Sequence, residues 1–281
     1  MDQTPTQPFY ARLTEAWESA GTFACVGLDP ELAKIPAFLQ SEAEPHFQFC
    51  KEIVDATADL VCAFKPQIAY FAAARAEAEL EKLCQHIKAR HPTKILILDA
   101  KRGDIGSTAE LYAREAFDRY GADAVTVNPY LGGDAIAPFS SRPDRGVFLL
   151  CKTSNPGSRD LQDYPPTEPL YMRVAKCASL EWNHNRNLGL VVGATHPEEL
   201  SKVRTLAPDL PFLVPGVGAQ GGDPKEVMRR GSTYGSLAHE KSASGLLINS
   251  SRAILYASGG ADFALEARKA AQKLSEDCRV G

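Results

Sequence analysis

The chain has 281 residues, of which 44% are hydrophobic, so it can bury one large core and no second domain is required. Its formal net charge of −4, from 31 basic and 35 acidic residues without a long run of one sign, argues against a nucleic-acid or membrane-surface partner and favours a small ligand. Residues 1–10 carry no apolar stretch of signal-peptide length, and no segment approaches a membrane span. Seven cysteines without any C-x-x-C pair predict reduced thiols in a cytoplasmic protein.

Short apolar runs alternate with stretches of helical periodicity along the chain, a pattern that predicts βα units. In chain order, the predicted strands are 23–28, 62–68, 94–99, 124–128, 146–152, 188–194, 212–215 and 245–249. The predicted helices are 47–60, 72–90, 107–120, 169–182, 196–206, 224–230 and 262–274, with room for only about one or two turns in 133–139. Ser107 and Thr195 are predicted to start helices, and Gly121 to end one.

Eight apolar strands, each followed by a helix, fit a closed parallel barrel better than an open sheet. The predicted fold class is therefore α/β, as a (β/α)8 TIM barrel. We expect a single domain over residues 1–281, with residues 1–20 as an N-terminal extension or helix. In such a barrel the loops after the strands build the pocket, so functional groups are expected there.

The most informative segment is Asp99-Ala100-Lys101-Arg102-Gly103-Asp104, which follows an apolar run. Side chains alternate along a strand, so Asp99 and Lys101 should point to the same face. Two carboxylates and an ammonium at the end of a buried strand are costly to desolvate unless they neutralise one another, which favours a chemical role. The alternative is a surface turn whose charges are solvated.

Polar residues also follow other predicted strands. Asp29 follows the first strand, Lys65 lies in the second, and polar segments at 153–157, 215–223 and 249–252 follow the fifth, seventh and eighth. The glycine-rich segment 215–223 can approach a ligand closely, and Arg252 can bind a phosphate through two hydrogen bonds. Phosphate sites commonly form after the last two strands of such barrels, although a plain glycine turn is the alternative.

Four segments together resemble the orotidine 5′-phosphate decarboxylase family: residues 98–108 (LDAKRGDIGST), residues 154–157 (SNPG), residues 215–224 and the pair Ser251-Arg252. The K-R-G-D-I-G form and the chain length are similar to the longer bacterial subgroup. This resemblance covers nearly the whole chain. It implies decarboxylation of orotidine 5′-phosphate to UMP and CO2 without a cofactor, in a homodimer with shared active sites.

The resemblance also implies roles for single residues. Lys101 resembles the acid that protonates carbon 6. Asp99 of the same chain and the partner subunit's Asp104 resemble the carboxylates that flank the departing carboxylate. Lys65 resembles the residue that holds this network and contacts the ribose. The other implied substrate contacts are Asp29 and the partner subunit's Thr108 at the ribose, Ser154 at the pyrimidine, and Gln220, Arg252, Gly218 and Gly221 at the phosphate.

Two other functions stay open at this point. A related barrel enzyme could use the same Asp-x-Lys-x-x-Asp cluster on a sugar phosphate, as in a metal-dependent 3-keto-gulonate-phosphate decarboxylase. A non-catalytic barrel would bind UMP-like ligands without releasing CO2.

The six histidines show neither H-x-x-x-H nor H-x-H spacing, so no metal site is predicted.

Overall fold

Continuous apolar runs form the strands, and most of these strands are buried along their whole length, as expected when helices cover a parallel sheet from outside. The computed structural model describes residues 7–218, 221–232 and 245–280. Eight parallel strands follow one another around a closed barrel, and the last pairs with the first. They are β1 (Ala24–Leu28), β2 (Ala63–Pro66), β3 (Ile95–Arg102), β4 (Ala124–Val127), β5 (Gly146–Lys152), β6 (Leu188–Val192), β7 (Phe212–Pro215) and β8 (Leu246–Ser250). The predicted fold class is confirmed.

Helices connect the strands on the outside of the barrel. In the described part of the chain they are α1 (Phe9–Ala20), α2 (Pro45–Thr57), α3 (Ile68–Ala73), α4 (Glu77–Arg90), α5 (Gly106–Arg114), α6 (Gly133–Ser140), α7 (Ser158–Leu161), α8 (Leu170–Leu180), α9 (Pro197–Leu206), α10 (Pro224–Gly231), α11 (Arg252–Leu255) and α12 (Phe263–Asp277). Among the same described residues, three short 3-10 helices span Leu32–Lys34, Ala58–Leu60 and Pro129–Leu131, and a π-helical turn at Glu115–Arg119 continues α5. None of these helices is long and apolar enough to cross a membrane.

The predicted boundaries of the second βα unit are wrong. Ile68 begins α3 instead of ending β2, and residues 72–90 do not form one helix. Arg75 lies between α3 and α4 with a φ of 56°, in the left-handed region that interrupts a right-handed helix.

Two predicted helix starts are also wrong. Helix α5 begins at Gly106 rather than after Ser107, and α9 begins at Pro197 rather than after Thr195. No side chain caps either start; proline suits the first helical position because its missing N–H has no partner there in any case. Gly121 follows the π-helical turn with a φ of 61°, as predicted for a helix end.

Helix α1 covers the N-terminal end of the barrel. The Phe9 ring packs on Gly146, and a Cβ atom at Gly245 would lie 2.7 Å from the Trp17 ring, so both glycines are required by close approach. Since one end is covered in this way, a pocket can open at the C-terminal ends of the strands. The domain bounds 1–281 stay a prediction.

Candidate active site

The end of β3 carries a carboxylate that is held between two ammonium groups. Lys65 Nζ on β2 donates to Asp99 Oδ2 at 2.7 Å, and Lys101 Nζ donates to Asp99 Oδ1 at 2.6 Å. The side chains of Lys65 and Asp99 are only 5% and 10% exposed, whereas that of Lys101 is 46% exposed. The three predicted residues therefore meet at the mouth of the barrel, with Lys101 on the side that solvent and a ligand can reach.

Electrostatics keep this cluster charged. Burial alone would lower the pKa of Lys65, but the charges of Asp99 and Asp29 and the hydrogen bond to Asp99 raise it above the ordinary value for lysine. Burial alone would raise the pKa of Asp99, but the two ammonium groups hold it far below the ordinary value for aspartate. The buried pair is thus fully ionised across the neutral pH range.

The backbone that carries Lys101 is not regular strand. Lys101 has a φ of 47°, in the left-handed region that residues other than glycine rarely adopt. The pairing of β3 with β4 shifts register over the same stretch, between Leu98 and Arg102. Asp99 and Lys101 do converge as predicted, but a local distortion of the strand accompanies their meeting, and simple alternation does not describe it.

Sequence reasoning missed Thr126, which lies on β4 beside this distortion. Its hydroxyl donates to Asp99 Oδ1 at 2.9 Å and accepts from the backbone amides of Ala100 and Lys101 at 3.1 and 2.9 Å. The only signal in the sequence is one polar residue within the apolar run Ala124–Val127, and a buried threonine in a strand is an ordinary occurrence.

Asp29 follows β1 and faces the same end of the barrel. Its backbone carbonyl accepts from the Tyr256 hydroxyl at 2.9 Å, and that hydroxyl in turn accepts from the Glu31 amide at 2.8 Å. The Asp29 Oδ1 atom is buried and has no hydrogen-bond partner within the described part of the chain. A buried carboxylate oxygen of this kind is free to accept from a ligand hydroxyl.

Ser154 follows β5 at the same end of the barrel. A Cβ atom at Gly193, which follows β6, would lie 3.0–3.2 Å from Ser154, so these two strand ends touch. The structure therefore places Ser154 on the rim of the barrel mouth, as predicted.

The segment after β7 is a tight glycine turn. Gly216, Gly218 and Gly221 have φ values of 97°, 79° and 87°, all in the left-handed region, which explains why glycine stands at these positions. A Cβ atom at Gly218 would lie 3.6 Å from Ala253 Cβ, so this turn adjoins the short helix that begins at the exposed Arg252. The turn at Gly218 therefore lies next to the helix that carries Arg252, and Gln220 lies outside the described residues.

Asp104 and Thr108 are not brought into this cluster. Asp104 Oδ1 accepts from the Ile105 amide at 2.8 Å, and Thr108 lies exposed on α5. Two large apolar neighbours on the same segment are also exposed, Ile105 at 60% and Leu111 at 60%. Within one chain, Thr108 is therefore exposed and Asp104 is half-buried beside it.

One group of side chains with metal-ligand chemistry occurs among the residues that the structure describes. His86 Nε2 and His91 Nε2 lie 2.7 and 2.8 Å from Asp55 Oδ1. This group joins the C-terminal parts of α2 and α4, which run back toward the N-terminal end of the barrel. It is remote from the barrel mouth and takes no part in the candidate site.

The chain is similar to known proteins over most of its length. The family model described as Orotidine 5′-phosphate decarboxylase / HUMPS family matches residues 23–267. The orotidine 5′-phosphate decarboxylase of Dechloromonas aromatica is 56% identical over 264 residues, which cover 94% of this chain and 95% of the relative. The orotidine 5′-phosphate decarboxylase of Cupriavidus metallidurans is 53% identical over 269 residues, which cover 95% of this chain and 96% of the relative. The solved structure of Leishmania donovani OMP decarboxylase is similar with a TM-score of 0.79 at 37% identity, covering 96% of this chain and 98% of that one. The UMP synthase structure from the same organism matches 96% of this chain with 56% of its own, with a TM-score of 0.80 at 39% identity.

Proposed function

The chain belongs to the orotidine 5′-phosphate decarboxylase family, and on that premise we propose that the Lys65–Asp99–Lys101 cluster converts orotidine 5′-phosphate to UMP and CO2. The protein is a decarboxylase of pyrimidine biosynthesis, a carbon–carbon lyase. The observation that carries the proposal is the ionised carboxylate of Asp99, held between two ammonium groups where the barrel opens.

In the proposed reaction, the bond between carbon 6 and the carboxylate breaks and its electron pair stays on carbon 6. The Lys101 ammonium stabilises this charge and then transfers a proton to carbon 6. Asp99 fixes the position of that ammonium before the substrate arrives, so little reorganisation is needed when the charge develops. Lys101 recovers its proton from solvent, which its half-exposed side chain can reach.

Repulsion between Asp99 and the substrate carboxylate supplies only part of the acceleration. Two unit charges about 4 Å apart interact by about 4 kcal/mol at an effective dielectric constant of about 20. Enzymes lower barriers by about 8 to 23 kcal/mol, and repulsion helps only as far as it is relieved in the transition state. Stabilisation of the carbanion by Lys101 therefore supplies the larger share of the acceleration in this proposal.

The remaining substrate contacts are those that the family resemblance implies. Asp29 would accept from a ribose hydroxyl, which the unpartnered buried Oδ1 atom supports. Ser154 would contact the pyrimidine from the end of β5. The phosphate would lie between Arg252 and the turn that contains Gly218 and Gly221, with Gln220 as a further contact.

We also propose that the active protein is a homodimer with shared sites. The half-buried Asp104 and the exposed Thr108 lie on the same segment as the exposed apolar side chains of Ile105 and Leu111. Burying this apolar surface against a second copy would carry Asp104 and Thr108 toward the neighbouring site. A mixture of Lys101→Ala and Asp104→Ala subunits would then regain activity, because some dimers contain one intact site; no recovery after verified subunit exchange would contradict sharing.

Two further parts of the proposal concern cofactors and location. The chemistry above needs no metal or organic cofactor. A cytoplasmic location is supported by the seven cysteines, all of which are buried free thiols.

A direct assay tests the function. The purified protein, stripped of metal, is incubated with orotidine 5′-phosphate while the ultraviolet absorbance of the substrate and the released CO2 are followed. We expect turnover that chelator does not change. Turnover lost with chelator would favour the sugar-phosphate type of enzyme, and UMP binding without CO2 release would favour the non-catalytic barrel.

A further inference from the structure

The Thr126 hydroxyl contacts the backbone amide of Lys101 directly and its ammonium group through Asp99. We infer that it is a positioning residue for decarboxylation, acting through its hydroxyl on Asp99 and Lys101 without touching the substrate. This inference rests on the proposed function of Lys101, and it assigns a role to a residue on a different strand from the Asp99–Asp104 motif.

The Thr126 hydroxyl uses all of its hydrogen-bonding capacity inside the cluster. Its proton is donated to Asp99 Oδ1 at 2.9 Å, and its oxygen accepts from the amides of Ala100 at 3.1 Å and Lys101 at 2.9 Å. A hydroxyl offers one donor and two acceptor lone pairs, so every position is occupied. Such a saturated arrangement permits one orientation of the side chain.

The two amides that it binds are consecutive, which a regular strand does not allow. In a regular strand, successive amides point to opposite neighbours. Here β3 advances from Leu98 to Arg102 while β4 advances only from Val125 to Val127. The extra residues on β3 turn both amides toward one oxygen atom, and the Thr126 hydroxyl receives them.

This distortion includes the strained residue itself. Lys101 adopts a φ of 47°, and a residue other than glycine persists there only when its surroundings hold it. The hydrogen bond from its amide to Thr126 is a direct restraint on that conformation. A hydroxyl on β4 thus stabilises the backbone from which the proposed proton donor projects.

The same hydroxyl also fixes the far end of the Lys101 side chain. Asp99 Oδ1 accepts both from Thr126 Oγ1 and from Lys101 Nζ. The Lys101 amide, Thr126 Oγ1, Asp99 Oδ1 and Lys101 Nζ therefore form a closed ring of contacts. A rotation of the carboxylate or a relaxation of the backbone would move the ammonium.

Valine is close to threonine in shape and lacks its hydroxyl. Thr126 is 1% exposed, and its neighbours on the strand are Val125 and Val127, so valine would match its shape and its surroundings. Thr126→Val keeps the shape of the side chain but leaves the amides of Ala100 and Lys101 and one Asp99 oxygen without this partner, so its free energy of unfolding is measured beside its kinetics.

The experiment compares three variants with the wild-type enzyme. Thr126→Val removes the hydroxyl, Thr126→Ser keeps it, and Thr57→Val is the matched control. Thr57 is also fully buried, but its hydroxyl donates at 2.7 Å to the Ile53 carbonyl within α2, outside the barrel. For each protein, kcat and KM are measured with orotidine 5′-phosphate, and the affinity for UMP is measured by calorimetry.

We expect Thr126→Val to lose about a hundredfold in kcat, because a misplaced reacting group costs about that much, while KM and the affinity for UMP change by less than about threefold. Thr126→Ser and Thr57→Val should keep kcat within about threefold of wild type. The inference is overturned if Thr126→Val turns over like wild type, if Thr57→Val loses as much, or if serine fails to rescue.

A measurement on the wild-type enzyme covers the case in which Thr126→Val does not fold. Hydrogen exchange should be slowed at least about a hundredfold at the amides of Ala100 and Lys101, as expected for amides held by Thr126. Fast exchange there would overturn the inference. A wild-type protein that releases no CO2 would instead overturn the proposed function, and the exchange data would still report on these hydrogen bonds.

Discussion

Two buried aspartates at opposite ends of the barrel each form salt bridges with several basic side chains. Asp99, at the C-terminal end of β3, binds Lys65 and Lys101. Asp123, just before β4 at the N-terminal end, binds Lys88 Nζ at 2.8 and 2.9 Å and also Arg12, and its Oδ2 accepts from the Leu96 amide at 2.9 Å. Both carboxylates are ionic centres, but only the first lies at the C-terminal ends of the strands, where its partner Lys101 is half exposed.

The difference lies in what surrounds each centre. The Asp123 side chain is 0% exposed, and its basic partners are Arg12 on α1, Lys88 on α4 and, at 3.8 Å, Arg145 just before β5, all at the N-terminal end of the barrel. Around Asp99, by contrast, Lys101 is held in a strained conformation and is half exposed. Buried ion pairs of equal chemistry can thus serve either the assembly of the fold or the reaction, and strain together with access separates the two cases.

The largest expected effect comes from Lys101→Ala. Removing the proposed proton donor, which also stabilises the carbanion, should lower kcat by about 10³-fold or more. The fold should persist, because the Lys101 side chain is 46% exposed. Steady-state kinetics on variant protein with an unchanged circular dichroism spectrum measure this loss.

Lys88→Ala is the matched control for that change. It removes a lysine from Asp123, the other carboxylate centre, and its side chain is 31% exposed. We expect kcat to stay within about twofold of wild type, since no contact with the reacting groups is lost. Comparable losses in both variants would mean that access does not distinguish the two centres.

The next effect is on stability, in Asp123→Asn. This change leaves the surrounding cations without their charge partner, so the free energy of unfolding should fall by about 3 kcal/mol, near the lower end for a broken buried pair because those cations are partly exposed. Urea denaturation measures it. The surface pair of Asp118 with Arg142 serves as control, and Asp118→Asn should cost less than about 1 kcal/mol. Equal costs would remove the contrast between a buried centre and a surface pair.

A third contrast compares Arg252 at the mouth with Arg204, a buried arginine that donates to backbone carbonyls including Gly231 and Leu210. Arg252→Ala should lower kcat/KM for orotidine 5′-phosphate by about a hundredfold, because binding energy at the phosphate is used at the reacting centre. It should change little for orotidine, which lacks the phosphate. Arg204→Met should instead lower the midpoint of thermal unfolding without this selectivity. An equal loss for both substrates in Arg252→Ala would contradict the phosphate assignment.

The sequence predicted the barrel because its strands are continuous apolar runs, and it predicted Lys65, Asp99 and Lys101 because charges interrupt those runs at strand ends. The confirmed strand order follows from the same alternation of strands and helices. The local breaks could not be predicted in this way. Arg75 and Lys101 adopt positive φ values that their side chains do not favour, so tertiary contacts must hold them.

Thr126 and Asp123 escaped prediction for a related reason. Each is a single polar residue next to an apolar strand, and its meaning depends on partners far along the chain, such as Lys88 for Asp123 and Asp99 for Thr126. The predicted starts of α5 and α9 were wrong because no side chain caps either helix. Residue types thus predict the elements and a motif, while long-range contacts decide which polar residues act together.

The smallest effect is the pH dependence of stability contributed by the Asp99–Lys65 pair. The folded-state pKa of Asp99 is lowered, so its contribution is present above the unfolded-state pKa of about 3.9 and is lost as pH falls below it. The folded-state pKa of Lys65 is raised, so its contribution is complete below the unfolded-state pKa of about 10.4 and is lost as pH rises beyond it. Between these limits the contribution of the pair should not change with pH.

Urea denaturation of wild type and Asp99→Asn at several pH values measures this dependence. The difference in the free energy of unfolding should stay constant within about 0.5 kcal/mol from pH 5 to 9 and shrink by about 1 kcal/mol toward pH 3, where the unfolded aspartate takes up a proton. A difference that varied steadily through neutral pH would mean that Asp99 or Lys65 titrates there. A pair that exchanged protons near neutrality could not hold the Lys101 ammonium ready before substrate binds.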